Sequence, residues 1–195
     1  MERREFLKLG LAGIGSVMIT DQSLALTYYP KPSDKKWAIL YSTWCGSSRD
    51  AGIWISEGMG GIAEVFDLRE NPDLKGFDHI VIGSSIRGWK IAPELAAYLE
   101  KNKDWMKDKI RGYYVICGNM RKPIEPAQKK AYIDDQLAKI TGVSNVPGKV
   151  FLGRITRALL DPQSVQMFDR MNMPDYDAMI RTDFLSYGQT ILNHV

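Results

Sequence analysis

The segment from Tyr41 to Gly52 reads YSTWCGSSRDAG, and its residue types suit the binding of an anion. Serines, a threonine and small residues stand here between an apolar run and residues at helical spacing. Hydroxyls and backbone N–H groups at a helix N-terminus favour phosphate, because the helix dipole and the unpaired donors both point at it. Gly46 lets the backbone turn close to such an anion. The segment contains neither a Walker loop nor GxGxxG, and a well-capped strand-to-helix turn is the alternative interpretation.

A second segment, Gly83 to Lys90, has the sequence GSSIRGWK and directly follows an apolar run. It offers two hydroxyls, a glycine and Trp89, whose indole can lie against a planar ring. Arg87 and Lys90 can hold an anionic ring edge or a polar substrate. The alternative is that Trp89 is a partly exposed packing residue.

A third segment, Cys117 to Pro123, reads CGNMRKP and also follows an apolar run. Gly118 and Asn119 permit tight turns and backbone contacts with a ligand. An ordinary turn at a strand end is the alternative. Each of the three segments gains weight only if the fold brings them together.

The pattern along the chain predicts the elements that must position these segments. Apolar runs predict five buried strands, at Trp37–Ser42, Ile62–Leu68, Phe77–Gly83, Gly112–Cys117 and Lys149–Gly153. Helical spacing predicts four helices, at 49–59, Pro93–Trp105, Pro126–Ile140 and Phe184–Leu192. The alternation indicates a three-layer α/β/α fold with a parallel sheet, and five strands fit the flavodoxin-like order 2-1-3-4-5. Ligands bind such sheets at the carboxyl ends of the strands, where all three segments lie.

Composition excludes several classes of function. The 195 residues suffice for one domain, and a net charge of +3 is too balanced to suggest nucleic-acid binding. The two histidines make no metal site. Cys45 and Cys117 follow strands that are two apart in the predicted order, or roughly 9–10 Å, whereas a disulfide needs Cα atoms within about 7 Å. Two separate thiols are therefore predicted.

The N-terminus, MERREFLKLGLAGIGSVMIT, has the pattern of an export signal. Arg3 and Arg4 precede a short apolar stretch, and Ser23-Leu24-Ala25 has the small-x-small pattern of a cleavage site. RREFLK resembles the twin-arginine (Tat) consensus, with Glu2 in place of the usual Ser or Thr. We expect residues 1–25 to be this signal, residues 26–195 to be the folded domain, and the protein to reach the periplasm or the outer face of the cytoplasmic membrane. An uncleaved signal would act as a membrane anchor, and an amphipathic N-terminal helix is the alternative.

STWCGSSR resembles the phosphate loop of the flavodoxin family, whose pattern is Ser/Thr-x-Thr/Asp-Gly-x-Thr. The run VIGSSIRGWKIAPELAAYLEKN, followed by a strand ending in CGNM, resembles one branch of that family, the menaquinone-dependent protoporphyrinogen dehydrogenases. The resemblance covers roughly residues 37–119, and the C-terminal third only in outline. It implies an FMN cofactor.

The resemblance also implies roles for the residues of the three segments. The phosphate would be held by Ser42, Thr43, Gly46, Ser47 and Ser48. The flavin ring would be lined on one side by Ser84, Ser85, Ile86, Arg87, Gly88 and Trp89, and on the other by Cys117, Gly118 and Asn119. Trp44 and Cys45 depart from the family pattern, since small or polar residues often occupy their positions. The third segment also lacks the tyrosine that flavodoxins stack on the ring.

The long connection from Gly153 to Thr182 carries apolar residues among charges. One or two packed helices are the favoured interpretation, and an apolar lid or docking face for a quinone, a porphyrin or a partner is the other.

Three hypotheses for function follow. The first is an exported FMN oxidoreductase, of which a protoporphyrinogen dehydrogenase-like enzyme is a variant that export disfavours. The second is an electron carrier between redox partner proteins, and the third is a cofactor-free binding module in which Trp44 blocks the phosphate site. The FMN hypothesis assigns no catalytic side chain, because flavin N5 would carry the redox chemistry.

Overall fold

The computed structural model describes residues 33–118 and 123–195. The predicted export signal and Asn119 lie outside these ranges. Five parallel strands form the central sheet, in the order β2-β1-β3-β5-β6. Their bounds are β1 Trp37–Ser42, β2 Ala63–Asp67, β3 His79–Arg87, β5 Ile110–Cys117 and β6 Gly148–Leu152. The fold class and strand order predicted from the sequence are confirmed.

The second segment differs from its prediction as a loop. β3 runs on beyond Gly83 to Arg87, because Ser84 and Ser85 continue the pairing with β5. The chain then turns back into β4, Lys90–Ile91, which pairs antiparallel with the end of β3. The segment is therefore a β-hairpin whose turn is Gly88–Trp89.

Helices cover both faces of the sheet. They are α1 Ser47–Gly58, α2 Pro93–Met106, α3 from residue 126 to 141, α4 Pro162–Arg170 and α5 Arg181–Leu192. The middle of α3, Lys130–Ala138, is π-helical. Alternate residues of each strand face opposite helix layers: Leu40 packs with the layer of α2 and α3, and Ile39 with that of α1 and α5. Within the described residues, no helix combines the length and apolarity needed to cross a membrane.

The connection between β6 and α5 folds over the carboxyl edge of the sheet. It contains α4 and a two-stranded antiparallel ribbon of β7, Arg154–Ile155, and β8, Tyr176–Asp177. The favoured prediction of packed helices is thus correct for α4 and misses the ribbon. We call residues 154–177 the C-terminal cover.

Two glycines allow α1 and α5 to pack closely. A Cβ at Gly188 would collide with the backbone carbonyl oxygen of Ile55, and one at Gly58 with that of Leu185. Backbone atoms cannot yield as a flexible side chain can. The contact therefore requires glycine on both helices.

Gly188→Ala is expected to lower the free energy of unfolding by about 1–3 kcal/mol, the usual cost of overpacking. The loss should appear although alanine raises helix propensity by about 1 kcal/mol. Urea unfolding of the full chain, followed by circular dichroism, measures it. Gly76→Ala is the control, because a Cβ there meets nothing within 4 Å; equal stability of the two variants would contradict the prediction.

Candidate functional site

The three segments singled out by the sequence meet at the carboxyl edge of the sheet. A cavity of about 100 Å³ lies between them and the C-terminal cover. Of the residues predicted for the site, those that line it are Thr43, Trp44, Cys45, Ser47, Ser85, Ile86 and Gly118. The other described residues of the predicted site do not line it; they are Ser42, Gly46, Ser48, Ser84, Arg87, Gly88, Trp89 and Cys117.

The turn between β1 and α1 and the first two residues of that helix, which together we call the first loop (residues 43–48), present backbone donors. Gly46 has φ 86°, in the left-handed region, and its N–H donates to Thr43 Oγ1 at 3.0 Å. Among the described residues, no side chain caps α1. The N–H groups of the first helical turn have no acceptor within the helix. This geometry suits an anion such as phosphate.

Three of the predicted serines differ in whether their hydroxyls already have hydrogen-bond partners. The Oγ atoms of Ser42 and Ser84 lie 3.2 Å apart, and Ser84 Oγ also accepts from Ala92 N at 3.2 Å. These two hydroxyls therefore tie β1, β3 and the start of α2 together. Ser48 Oγ, by contrast, is buried and has no hydrogen-bond partner within the part of the chain that the structure describes.

The hairpin of β3 and β4 holds Trp89 in a strained conformation. Its φ is 66°, a left-handed value that is unusual for a bulky residue, and its side chain is 77% exposed. Gln136, in the π-helical part of α3, supports the turn: Nε2 donates to Trp89 O at 3.1 Å, and Oε1 accepts from Ile91 N at 3.0 Å. The indole is thus displayed at the hairpin tip and does not line the cavity.

The C-terminal cover is anchored on the first loop through one carbonyl group. Arg154 O accepts hydrogen bonds from Ser47 Oγ at 3.0 Å and from Cys45 Sγ at 3.2 Å. The guanidinium group of Arg154 also pairs with Asp50 in the first turn of α1. These contacts fix the ribbon of β7 and β8 relative to the first loop.

A second group of contacts joins the cover to the hairpin. Trp44 Nε1 donates to Asp161 Oδ2 at 3.3 Å, and the Arg87 guanidinium carbon lies 4.4 Å from the centre of the Trp44 ring. Arg87 Nη2 also donates to Ser164 Oγ at 3.3 Å. We call Trp44, Arg87, Asp161 and Ser164 the latch. Ser164 is buried, whereas Arg87 and Asp161 form an exposed ion pair. Exposed ion pairs contribute little stability.

The cover contributes cavity residues that the sequence did not identify as site residues. They are Gly153, Arg154, Ile155, Phe168, Met173 and Tyr176. The apolar residues in the connection had suggested a lid or docking face, and Phe168 and Met173 belong to that set. No pattern in the sequence marked Tyr176, because its place in the cavity arises from tertiary packing.

The two cysteines are buried thiols without a disulfide between them, as predicted. Strand β3 separates the strands that they follow. Cys45 contacts the cover through Arg154 O, and Gln128 Nε2 donates to Cys117 Sγ at 3.6 Å. Both thiols therefore take part in packing at the edge of the sheet.

The latch titrates at low pH. Hydrogen bonds from the Ser164 hydroxyl, and next from its backbone N–H, lower the pKa of Asp161 from 3.8 to about 2. The pKa of Asp161 is lower in the folded state than in the unfolded state. The Asp161 carboxylate therefore stabilises the folded protein fully above about pH 4, and this stabilisation is lost as the pH falls towards 2.

Asp161→Asn removes this titration and keeps an oxygen that can cap α4. The stability advantage of the wild type over the variant should therefore grow as the pH rises from about 2 to about 4 and stay constant above it. Urea unfolding of both proteins across this range measures the difference. A stability difference between the two proteins that does not vary with pH would show that the pKa of Asp161 is not lowered in the folded state.

Solved structures similar to this chain include an oxidoreductase and two flavodoxins. Rubredoxin oxygen:oxidoreductase from Desulfovibrio gigas matches 85% of the chain with a TM-score of 0.52 and 14% identity, and the chain spans only 36% of that protein. Oxidised flavodoxin 1 from Bacillus cereus matches 82% of the chain, over 98% of its own length, with a TM-score of 0.48 and 13% identity. A flavodoxin from Fusobacterium nucleatum bound to flavin mononucleotide matches 80%, over 97% of its own length, at 0.46 and 13%.

No curated protein matches the sequence. The family described as the flavodoxin domain matches residues 38–178, a range that starts in β1 and ends after β8, so that it includes all three segments and the cover. On this match over most of its length, the chain belongs to the flavodoxin domain family.

Proposed function

We propose that this protein is an exported FMN-dependent oxidoreductase. The observation that carries the proposal is the first loop: left-handed Gly46, an uncapped α1 N-terminus and a buried Ser48 hydroxyl with no partner among the described residues. A buried hydroxyl without a partner is costly unless a ligand satisfies it. In a chain of the flavodoxin domain family, these donors fit a flavin phosphate.

The donor set assigns roles within the predicted site. Thr43, Gly46, Ser47 and Ser48 would hold the phosphate, with the first-turn N–H groups of α1. The ring would be lined by Ser85, Ile86, Arg87 and Gly88 on one side and by Gly118 and Asn119 on the other, whereas Trp89 stays at the hairpin tip. The hydroxyls of Ser42 and Ser84 would position the loops, since each is already engaged with the other.

The size of the cavity shows what must move for a ring to bind. Its 100 Å³ is less than the ~150 Å³ of an engineered cavity that holds benzene. A fused three-ring flavin therefore requires the cover to shift away from the hairpin. The exposed Arg87–Asp161 ion pair of the latch contributes little to holding the cover closed, so the opening would mainly separate Phe168 from Cys45 and Ile155. The anchor at Arg154 can meanwhile keep the ribbon on the first loop.

The chemistry of the cover favours an enzyme over an electron carrier. A bound flavin would supply hydride or electron transfer at N5, and the chain would bind it, orient it and exclude water. The cavity wall is apolar because it contains Ile155, Phe168 and Met173. Such a wall suits a quinone or another apolar small molecule better than it suits a charged protein partner. The likeness of the second segment to protoporphyrinogen dehydrogenases supports a porphyrinogen as the narrower alternative.

Titration of the full chain with FMN and with riboflavin, followed by flavin fluorescence, tests the cofactor. Wild type should bind FMN, and Ser48→Ala should weaken it by about 10-fold or more, as for a hydrogen bond to a charged group. Affinity for riboflavin, which lacks the phosphate, should not change. Ser186→Ala, on the exposed face of α5, is the control. Failure of wild type to take up FMN would contradict the proposal.

Export is tested separately, in a bacterium that has the twin-arginine route. The wild type should appear outside the cytoplasm, whereas Arg3→Lys combined with Arg4→Lys should leave the protein in the cytoplasm. Cell fractionation with immunodetection measures the distribution. The same location for both proteins would show that this arginine pair does not direct export.

A further inference from the structure

Tyr176 reaches into the cavity from the C-terminal cover. It lies on β8, opposite Ile155 of β7, and its side chain lines the cavity between the first loop and the end of β5. A Cβ on Gly118 would lie only 3.2 Å from Tyr176 Oη. The glycine therefore leaves room for the hydroxyl beside the third segment.

The hydroxyl of Tyr176 differs from those of the fully buried tyrosines around it. Tyr114 Oη donates to Ser48 O at 2.9 Å, and Tyr187 Oη donates to Tyr113 O at 2.6 Å. Tyr113 Oη bonds with Thr141 Oγ1 at 2.5 Å. Tyr176 Oη is buried and has no partner within residues 33–118 and 123–195. Packing alone does not require a hydroxyl at this position, since phenylalanine would fill the same space.

The backbone holds Tyr176 in place from both sides of the ribbon. Ala178 N donates to Gly153 O at 3.1 Å, and Arg154 O is bonded to Ser47 in the first loop. The guanidinium group of Arg157 pairs with Asp175 and bonds to Met173 O. The hydroxyl therefore keeps a fixed position relative to the first loop.

The hydroxyl stays protonated near neutral pH. Burial is the main reason that the pKa of Tyr176 is raised, and the nearby side chains of Cys45 and Cys117 add to it. A protonated phenol that lacks an acceptor is available to donate a hydrogen bond.

We infer that Tyr176 contacts the cofactor and donates a hydrogen bond to an oxygen of the bound flavin, so that the C-terminal cover forms part of the binding site. This inference rests on the proposed function. FMN offers acceptor oxygens on its phosphate and, in common with riboflavin, on its ring carbonyls and its ribityl chain, and each fits a phenolic donor.

Tyr176→Phe removes the hydroxyl and keeps the ring. We expect the full-length variant to bind FMN about 3- to 10-fold more weakly than wild type, the effect of one lost hydrogen bond. Riboflavin distinguishes the acceptor: its affinity falls equally if the bond is to the ring and is unchanged if the bond is to the phosphate. Tyr98→Phe is the matched control, since its hydroxyl bonds to Pro72 O at 3.0 Å, away from the cavity.

The melting temperature without flavin separates a binding role from a structural one. It should be unchanged or higher in Tyr176→Phe, because the hydroxyl has no partner to lose, and a clear decrease would indicate a structural role instead. If the wild type binds FMN and Tyr176→Phe binds it with equal affinity, the inference about Tyr176 is overturned and the proposed function stands. A wild type that binds no FMN would overturn the proposed function, and the inference with it.

Discussion

The backbone turn at Gly46 is the constraint on which the site depends. Its left-handed φ of 86° is accessible to glycine at little cost, whereas other residues pay roughly 1–2 kcal/mol there. The turn directs the uncapped first turn of α1 towards the carboxyl edge of the sheet. It also places Ser47 where its hydroxyl meets the backbone of the cover. The first loop thus serves as the base of the cover and, under the proposed function, as the phosphate site.

The cover is held on the rest of the domain by two sets of contacts, the anchor and the latch. The anchor at Arg154 is built from buried or half-buried groups. In the latch, the Arg87–Asp161 ion pair is exposed, and such pairs open at low cost. Under the proposed function, a cover that stays fixed at the ribbon and moves at α4 would admit a ring and then exclude water from it. The apolar wall of Phe168 and Met173 would in this way face the reacting part of a bound cofactor.

The sequence predicts the central sheet well because its strands are continuous apolar runs. β1 has the predicted bounds, and the strand order follows from the alternation of strands and helices. It fails at β3, where Ser84 and Ser85 resemble loop residues although pairing with β5 keeps them in the strand. The two-residue strands β7 and β8 are too short to show any periodicity. Two further features depend on residues that are far apart in the chain, so no local sequence pattern predicts them. They are the burial of Tyr176 Oη and the support of Trp89 by Gln136.

The central claim is that the first loop, the hairpin and the C-terminal cover together form one flavin site. Amide hydrogen–deuterium exchange of the full chain, with and without saturating FMN, tests it most directly. The account predicts that exchange changes together in the first turn of α1, in the hairpin of β3 and β4 and in residues 154–177. Changes confined to the first loop would show that the cover takes no part in binding. No change at the carboxyl edge of the sheet would contradict the account as a whole.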